Sequence, residues 1–144
     1  MKHRALITFL TGLIFLFAAI PAYTEHQTPV APQEYLDMEN PIDEDDIDDA
    51  FMKKAKKTYK RKCSKCHGSE GDGEGSASEE IEIKPTAFND PGYFDEKSDG
   101  QLFWITMYGS EGTEMEGYGP DSDTGYSEER LWELVAYIRA AFAN

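Results

Sequence analysis

The chain has few cysteines, few histidines and little positive charge. Its 144 residues include two cysteines and three histidines. A structural zinc site takes four ligands, usually from two separated pairs of these residue types, so their scarcity disfavours one here. Fourteen lysines and arginines face 28 aspartates and glutamates, which gives a net charge of −14. That sign is opposite to the one nucleic-acid binding requires.

Long hydrophobic runs are also lacking, except at the N-terminus. Lys2 and Arg4 precede an uncharged apolar run, Ala5–Ile20, and Pro21 and Ala22 follow it. Sixteen residues is long for the apolar core of a signal peptide and short for a membrane span. Two interpretations of residues 1–22 stay open, a signal peptide cleaved after Ala22 and an uncleaved anchor with residues 5–20 as membrane tether. Both export the rest of the chain.

Residues 23–46 offer little to bury. They contain Pro29, Pro32 and Pro41 and end in the acidic run Asp43–Asp46. This composition predicts a disordered acidic linker. If the anchor is retained, the linker becomes a flexible tether to a single domain at residues 47–144.

The most informative motif is Cys63-Ser64-Lys65-Cys66-His67. Two thiols three residues apart can reach the two vinyl groups on one edge of a porphyrin, and the adjacent histidine then supplies a nitrogen to the iron. The motif predicts one haem c, bound covalently through Cys63 and Cys66, with His67 as the proximal iron ligand. A plain disulfide leaves His67 unexplained. A thioredoxin-like pair needs a strand before it, and a lysine-rich helical segment stands there instead.

The rest of the domain predicts an all-α fold. A helix begins near Asp46–Asp49 and runs to the haem motif, a short helix spans Asp99–Tyr108, and a final helix follows Ser127 as N-cap. Glycine-rich loops separate these helices. Nothing after the leader has the alternation typical of a strand, and there is no internal repeat. Haem itself must form much of the core of so short a domain.

A low-spin electron carrier needs a second axial ligand, commonly a methionine thioether. Met115 lies in a glycine-rich loop that can cover the second haem face, and it is the predicted distal ligand. Met107 is the alternative, although its helical position favours a packing role. If Met115 is only a surface methionine, the iron is left five-coordinate.

These motifs together resemble the class I (mitochondrial-type) bacterial cytochromes c, over about Ala50–Ala141. Ala55 and Tyr59 match that family's small and aromatic residues one turn before the haem motif. Leu134–Arg139 matches its C-terminal helix, and Gly112–Met115 its distal-ligand phrase. The resemblance implies a small cytochrome c fold in which the N- and C-terminal helices pack together around one haem.

The resemblance also implies that a proline carbonyl accepts a hydrogen bond from the proximal imidazole. Pro85 is the candidate for this contact, and Pro91 the alternative. Glu116 departs from the family, which often has proline after the axial methionine. The departure puts the strength of the Met115 ligand in question more than its identity.

The predicted function is one-electron transfer without enzymatic activity, between respiratory or dehydrogenase partners, in the periplasm. The protein is expected to be soluble there or anchored to the inner membrane. Two alternatives remain, a haem-based sensor or peroxidase-like protein with a labile Met115, and a haem subunit of a larger enzyme. Five acidic residues flank Met115 and predict docking to a basic patch on a redox partner, unless they form only a solvated face: Glu111, Glu114, Glu116, Asp121 and Asp123.

Overall fold

Helices provide the regular structure of the chain in a computed structural model, which describes residues 28–143. Within that range no strand forms, and the single antiparallel bridge joins Gly109 to Glu116. Three short 3-10 turns connect the helices, at Glu44–Asp46, Ser78–Glu80 and Tyr93–Asp95. The α-helices of the described residues are α1 (Gln33–Leu36), α2 (Asp49–Lys62), α3 (Ser64–His67), α4 (Asp99–Tyr108) and α5 (Glu128–Phe142). The all-α prediction is confirmed.

Each of the three longer helices begins at a side-chain cap. Asp48 accepts a hydrogen bond from the Phe51 amide at 2.7 Å at the start of α2. Ser98 and Ser127 play the same part at the starts of α4 and α5. Such caps satisfy amides that have no partner within the helix, and they fix where it begins. The predicted bounds of these helices are therefore confirmed to within a few residues.

The first half of the core lies between α2 and α5. Tyr59 is completely buried, and its ring lies 5.5 Å from that of Tyr137 and 5.2 Å from that of Phe142. Ala55 is buried one turn earlier in α2 and belongs to the same apolar cluster. The packing of the N- and C-terminal helices that the resemblance implies is therefore confirmed.

The second half of the core lies between α4 and α5. Phe103 of α4 stacks on Trp132 of α5, with ring centroids 4.0 Å apart and planes 8° from parallel. Leu131 and Val135 are fully buried in the same cluster. Because α5 contributes to both clusters, it holds α2 and α4 in fixed positions relative to each other.

Over residues 28–42 the structure differs from the predicted disordered linker, because these residues make long-range contacts. Residues 28–42, which we call the N-terminal strap, pack on α4 and α5. Ala31 is buried, the Tyr35 ring stacks against Phe103 at 6.4 Å, and the Asn40 amide donates a hydrogen bond to the Trp132 carbonyl. Composition favoured disorder, but these long-range contacts provide the burial that the strap's own sequence lacks.

The predicted leader, residues 1–22, lies outside the described residues. Within residues 28–143, no helix is both long and apolar enough to cross a membrane.

Glu133 is the buried charge that connects α2 to α5. Its carboxylate forms ion pairs with Lys54 of α2 and with Arg130 of its own helix, the latter at 2.6 Å. Burial acts to raise the pKa of Glu133, but the hydrogen bonds from both cations outweigh it and lower the pKa below its ordinary value. The ionised form of Glu133 therefore stabilises the folded chain.

We expect Glu133→Gln to reduce the free energy of unfolding at pH 7 by about 1–2 kcal/mol, because two charge-assisted hydrogen bonds are weakened at a buried site. The folded pKa of Glu133 is depressed, so the advantage of wild type is complete above about pH 5, where an unfolded glutamate is ionised. This stability advantage of wild type over Glu133→Gln is lost as the pH falls through the pKa of Glu133 in the folded protein. Urea unfolding between pH 3 and pH 7 measures the difference.

The control is Glu82→Gln, at an exposed loop position. It should change stability little at any of these pH values. A Glu133→Gln deficit that stays constant down to pH 3 would contradict the assignment to the ionised carboxylate.

Candidate haem-binding site

The Cys-x-x-Cys-His motif forms the junction between α2 and α3. Cys63 caps the C-terminus of α2, and its amide donates to the Tyr59 carbonyl at 2.8 Å. Cys66 and His67 follow within the single turn of α3, which ends at Gly68 with φ +77°. Both thiols are free and half-buried. The turn therefore holds the two thiols and the imidazole together on a short, hydrogen-bonded segment.

A cavity of about 210 Å³ lies beside this turn. Cys63, Cys66 and His67 line it on one side, and Met115 lines it as well. Much of the remaining wall is aliphatic or aromatic, from Ile81, Ile83, Phe88, Leu102, Ile105, Leu134 and Ile138. The sequence-predicted thiols and axial ligands thus share one largely apolar cavity between the two halves of the core.

His67 is held in a defined orientation. Its Nδ1 lies 3.0 Å from the Thr86 carbonyl oxygen, so Nδ1 carries the proton and Nε2 is the nitrogen left for a metal. The Phe88 ring stacks against the imidazole at 4.6 Å and 17°. Burial lowers the pKa of His67, with the Thr86 carbonyl opposing that shift. The imidazole is thereby kept neutral, which is the form that binds a metal.

The prediction that the Pro85 carbonyl accepts this hydrogen bond is wrong by one residue. The acceptor is Thr86, while the Pro85 carbonyl faces Gly73, where an added Cβ would lie 2.6 Å from the oxygen. Pro85 still lines the cavity. Its ring fixes the backbone just before Thr86, so it acts as a positioning residue rather than as the hydrogen-bond partner.

The two candidate methionines lie in different surroundings. Met115 is half-buried on the cavity wall, in a loop held by hydrogen bonds from the Met115 amide to the Thr113 hydroxyl and from the Ser110 amide to the Met115 carbonyl. Met107 is buried in the cluster between α4 and α5, and its side chain lies against Gly119. This geometry favours Met115 over Met107 as the distal ligand.

The donor set fits haem c better than the other interpretations of the motif. Within residues 28–143, no three His, Cys, Asp or Glu side chains are placed to hold a metal ion together. Burial raises the pKa of Cys63 to about 12, whereas a redox-active thiol depends on a lowered pKa. Two adjacent thiols, a neutral imidazole and a thioether around an apolar cavity are the groups that covalent attachment and two-sided iron ligation require.

Sequence reasoning missed three residues of this site. Thr86, Phe88 and Gln101 line the cavity, but each lies in a segment without a recognisable motif. The run Pro85-Thr86-Ala87-Phe88 matches no motif that would indicate the contacts of Thr86 and Phe88 with His67. Nothing in the local sequence around Gln101 indicated its role.

The fold and the cavity define a c-type cytochrome with a single attachment motif. Residues 50–138 match the family model of cytochrome c oxidase, cbb3-type, subunit III, and the chain belongs to this family. The family implies covalently bound haem c and electron transfer, and the resemblance to class I cytochromes c is confirmed.

One solved structure similar to this chain is a chain of the reducing HAO-like protein complex of Kuenenia stuttgartiensis, at 28% identity and a TM-score of 0.54. The match covers 67% of this chain and 46% of that one, so this chain spans less than half the length of its structural relative. No curated protein matches the sequence.

Gly73→Ala should disturb the proximal side of the site. Gly73 has φ +72°, and the added Cβ would press on the Pro85 carbonyl and displace Thr86 from His67. The left-handed backbone costs about 1–2 kcal/mol with alanine, and the clash adds about 1–3 kcal/mol. In the haem-loaded protein we expect lower stability together with a changed His67 Nδ1 proton resonance, measured by NMR.

Gly125→Ala is the matched control. Gly125 also has a positive φ, +59°, but no atom lies closer than 3.7 Å to the added Cβ. Gly125→Ala should lose only the stability that the left-handed backbone costs an alanine, and it should leave the His67 Nδ1 proton resonance unchanged. Equal effects of the two substitutions on that resonance would contradict the role given to the Thr86 carbonyl.

Proposed function

We propose that this protein is an exported one-electron carrier that holds haem c between His67 and Met115. The observation that carries the proposal is the placement of these two side chains, with Cys63 and Cys66, around one apolar cavity. Haem c bound there would supply one-electron exchange between ferrous and ferric iron. An iron with two protein ligands has no open coordination position, which favours electron transfer over chemistry on a substrate.

The chain's own residues are suited to keeping such a site rigid and dry. The Thr86 carbonyl and the Phe88 ring restrain His67 from two directions. Aliphatic side chains from α4 and α5 exclude water from much of the wall. A restrained site needs little rearrangement when its charge changes, and this supports fast electron exchange.

The cavity gives little support to peroxidase-like chemistry. Among its described lining residues, His67 is the single histidine and there is no arginine. Peroxide activation at a haem relies on polar groups on the distal side, and beside Met115 the cavity is lined there by Ser110, Thr113 and Glu114 but by no histidine or arginine. A carrier without its own enzymatic activity is therefore the better-supported function.

The partners are proposed to be redox proteins of a respiratory or dehydrogenase system in the periplasm. The family is named for a subunit of cytochrome c oxidase, and the structural relative belongs to a protein complex, so both are parts of larger assemblies. Export is supported by the N-terminal apolar run, because haem c is attached outside the bacterial inner membrane. If the N-terminal apolar run is removed, the domain is free in the periplasm, and if it is kept, the domain is tethered to the inner membrane.

The distal ligand can be tested with carbon monoxide. We expect the visible spectrum of the dithionite-reduced protein to stay unchanged on exposure to carbon monoxide, because Met115 closes the sixth position. Met115→Ala should open that position and produce a carbon monoxide complex. A shift in the wild-type spectrum would contradict a closed site and favour a sensor or peroxidase-like function.

Met107→Ala is the control for this experiment. Truncating a buried methionine costs about 2–5 kcal/mol of stability but should leave the iron ligands in place. The Met107 variant should therefore unfold more easily yet remain unreactive towards carbon monoxide. Carbon monoxide binding by the Met107 variant alone would move the distal ligand to that residue.

The acidic loop around Met115 is proposed to dock a basic patch of the partner. Glu111, Glu114 and Glu116 are exposed there, and Glu114 lines the cavity. Neutralising all three to glutamine should slow electron transfer to the partner several-fold at low salt and flatten its salt dependence, because charges at an interface act mainly on the association rate. Stopped-flow reduction at several ionic strengths measures both effects.

The control removes the same number of charges elsewhere, through Glu39→Gln, Glu44→Gln and Glu129→Gln at exposed positions. It should change the rate much less. If the two triple variants behave alike, the charges around Met115 are only a solvated face. If neutralising the exposed lysines of α2 slows transfer instead, the partner presents an acidic patch and the docking proposal is wrong.

A further inference from the structure

The N-terminal strap reaches the haem cavity. Thr28 lines the cavity together with Lys97, Gln101 and Leu102, so the start of the strap borders the same space as α4. A flexible tether would have no fixed contact there. The position of Thr28 shows that residues of this segment contribute to the wall of the site.

Gln101 fixes this end of the strap by two hydrogen bonds from one buried side chain. Its Oε1 accepts from the Ala31 amide at 2.8 Å, and its Nε2 donates to the Pro29 carbonyl at 3.0 Å. The two backbone groups flank Val30, whose side chain is exposed. The side-chain amide of Gln101 thus pairs with one backbone N–H and one backbone C=O of the strap, as the edge of a neighbouring strand would.

The rest of the strap is anchored independently along α4. Gly100 permits close approach, because a Cβ there would overlap the Tyr35 carbonyl oxygen. The Tyr35 ring stacks on Phe103, and its hydroxyl shares a hydrogen bond with that of Tyr108 at 2.8 Å. These contacts set the position of α1, while Gln101 sets the position of residues 29–31, next to Thr28, the strap residue that lines the cavity.

We propose that the strap is a wall of the haem site and that Gln101 is the positioning residue that keeps this wall closed. The inference rests on the proposed haem-binding function. A closed strap limits the access of water to the site, and solvent exclusion is one of the factors that set the reduction potential of a haem. Loosening the strap should therefore lower the potential without removing any iron ligand.

The test compares Gln101→Met with Gln33→Met in the full-length, haem-loaded protein. Methionine keeps the length of the side chain and removes both hydrogen bonds. Gln33 lies in the strap itself, is exposed, and donates to Asp37 rather than to α4. We expect Gln101→Met to accelerate amide exchange at Ala31 at least several-fold and to lower the reduction potential, and Gln33→Met to do neither.

Gln101→Glu provides a partial rescue. A glutamate can still accept from the Ala31 amide but cannot donate to the Pro29 carbonyl when ionised. Protection of the Ala31 amide should return towards wild type in this variant. If Gln101→Met fails to accumulate, Tyr35→Ala carries the same two measurements, because it releases the strap through its contacts with Phe103 and Tyr108.

Unchanged exchange at Ala31 in Gln101→Met would overturn the positioning role of Gln101. Faster exchange with an unchanged potential would show that the strap is docked but is not a wall of the haem site, and would also overturn the proposal. Failure of the proposed function looks different. A chain that binds no haem c gives no potential to compare, while exchange at Ala31 still reports whether the strap is docked.

Discussion

The contacts of Tyr59 join the parts of the molecule on which the site depends. Its ring packs on Tyr137 and Phe142 of α5, and its hydroxyl donates to the Gly68 carbonyl at 2.9 Å, directly after His67. Burial raises the pKa of Tyr59 and keeps the hydroxyl protonated as a donor. One side chain therefore fixes α2 against α5 and also fixes the end of the attachment motif. The orientation of the His67 imidazole depends on the packing of α2 against α5 and on the fixed end of the attachment motif.

The two halves of the core enclose the cavity between them. The cluster at Tyr59 and the cluster at Phe103 share α5, and the cavity is lined by residues of both. An apolar cavity left without contents costs stability roughly in proportion to its volume. A domain of this size has little core to offset that cost. The group bound in the cavity is thus expected to serve the fold as well as the electron chemistry.

Much of the fold could be predicted because its signals are local. Ser127 marked the start of α5 as an N-cap, acidic residues marked the start of α2 near Asp46–Asp49, and the five residues from Cys63 to His67 predicted the attachment chemistry. The acceptor for His67 was misplaced by one residue because the segment at Pro85 is irregular and has no periodicity to set its register. The strap was missed for another reason. Its contacts with Gln101 and Trp132 join residues far apart in sequence, and a linker-like composition gives no sign of them.

The central claim is that Cys63 and Cys66 carry one covalent haem. The most direct test is the mass of the denatured protein, purified after export from a host that attaches haem c. We predict a mass increased by one haem that survives acidic organic extraction, and an unmodified mass when both cysteines are changed to serine. A mass lowered by two hydrogens would indicate a disulfide, and an unmodified chain that binds zinc would indicate a metal site. Either result would contradict the account.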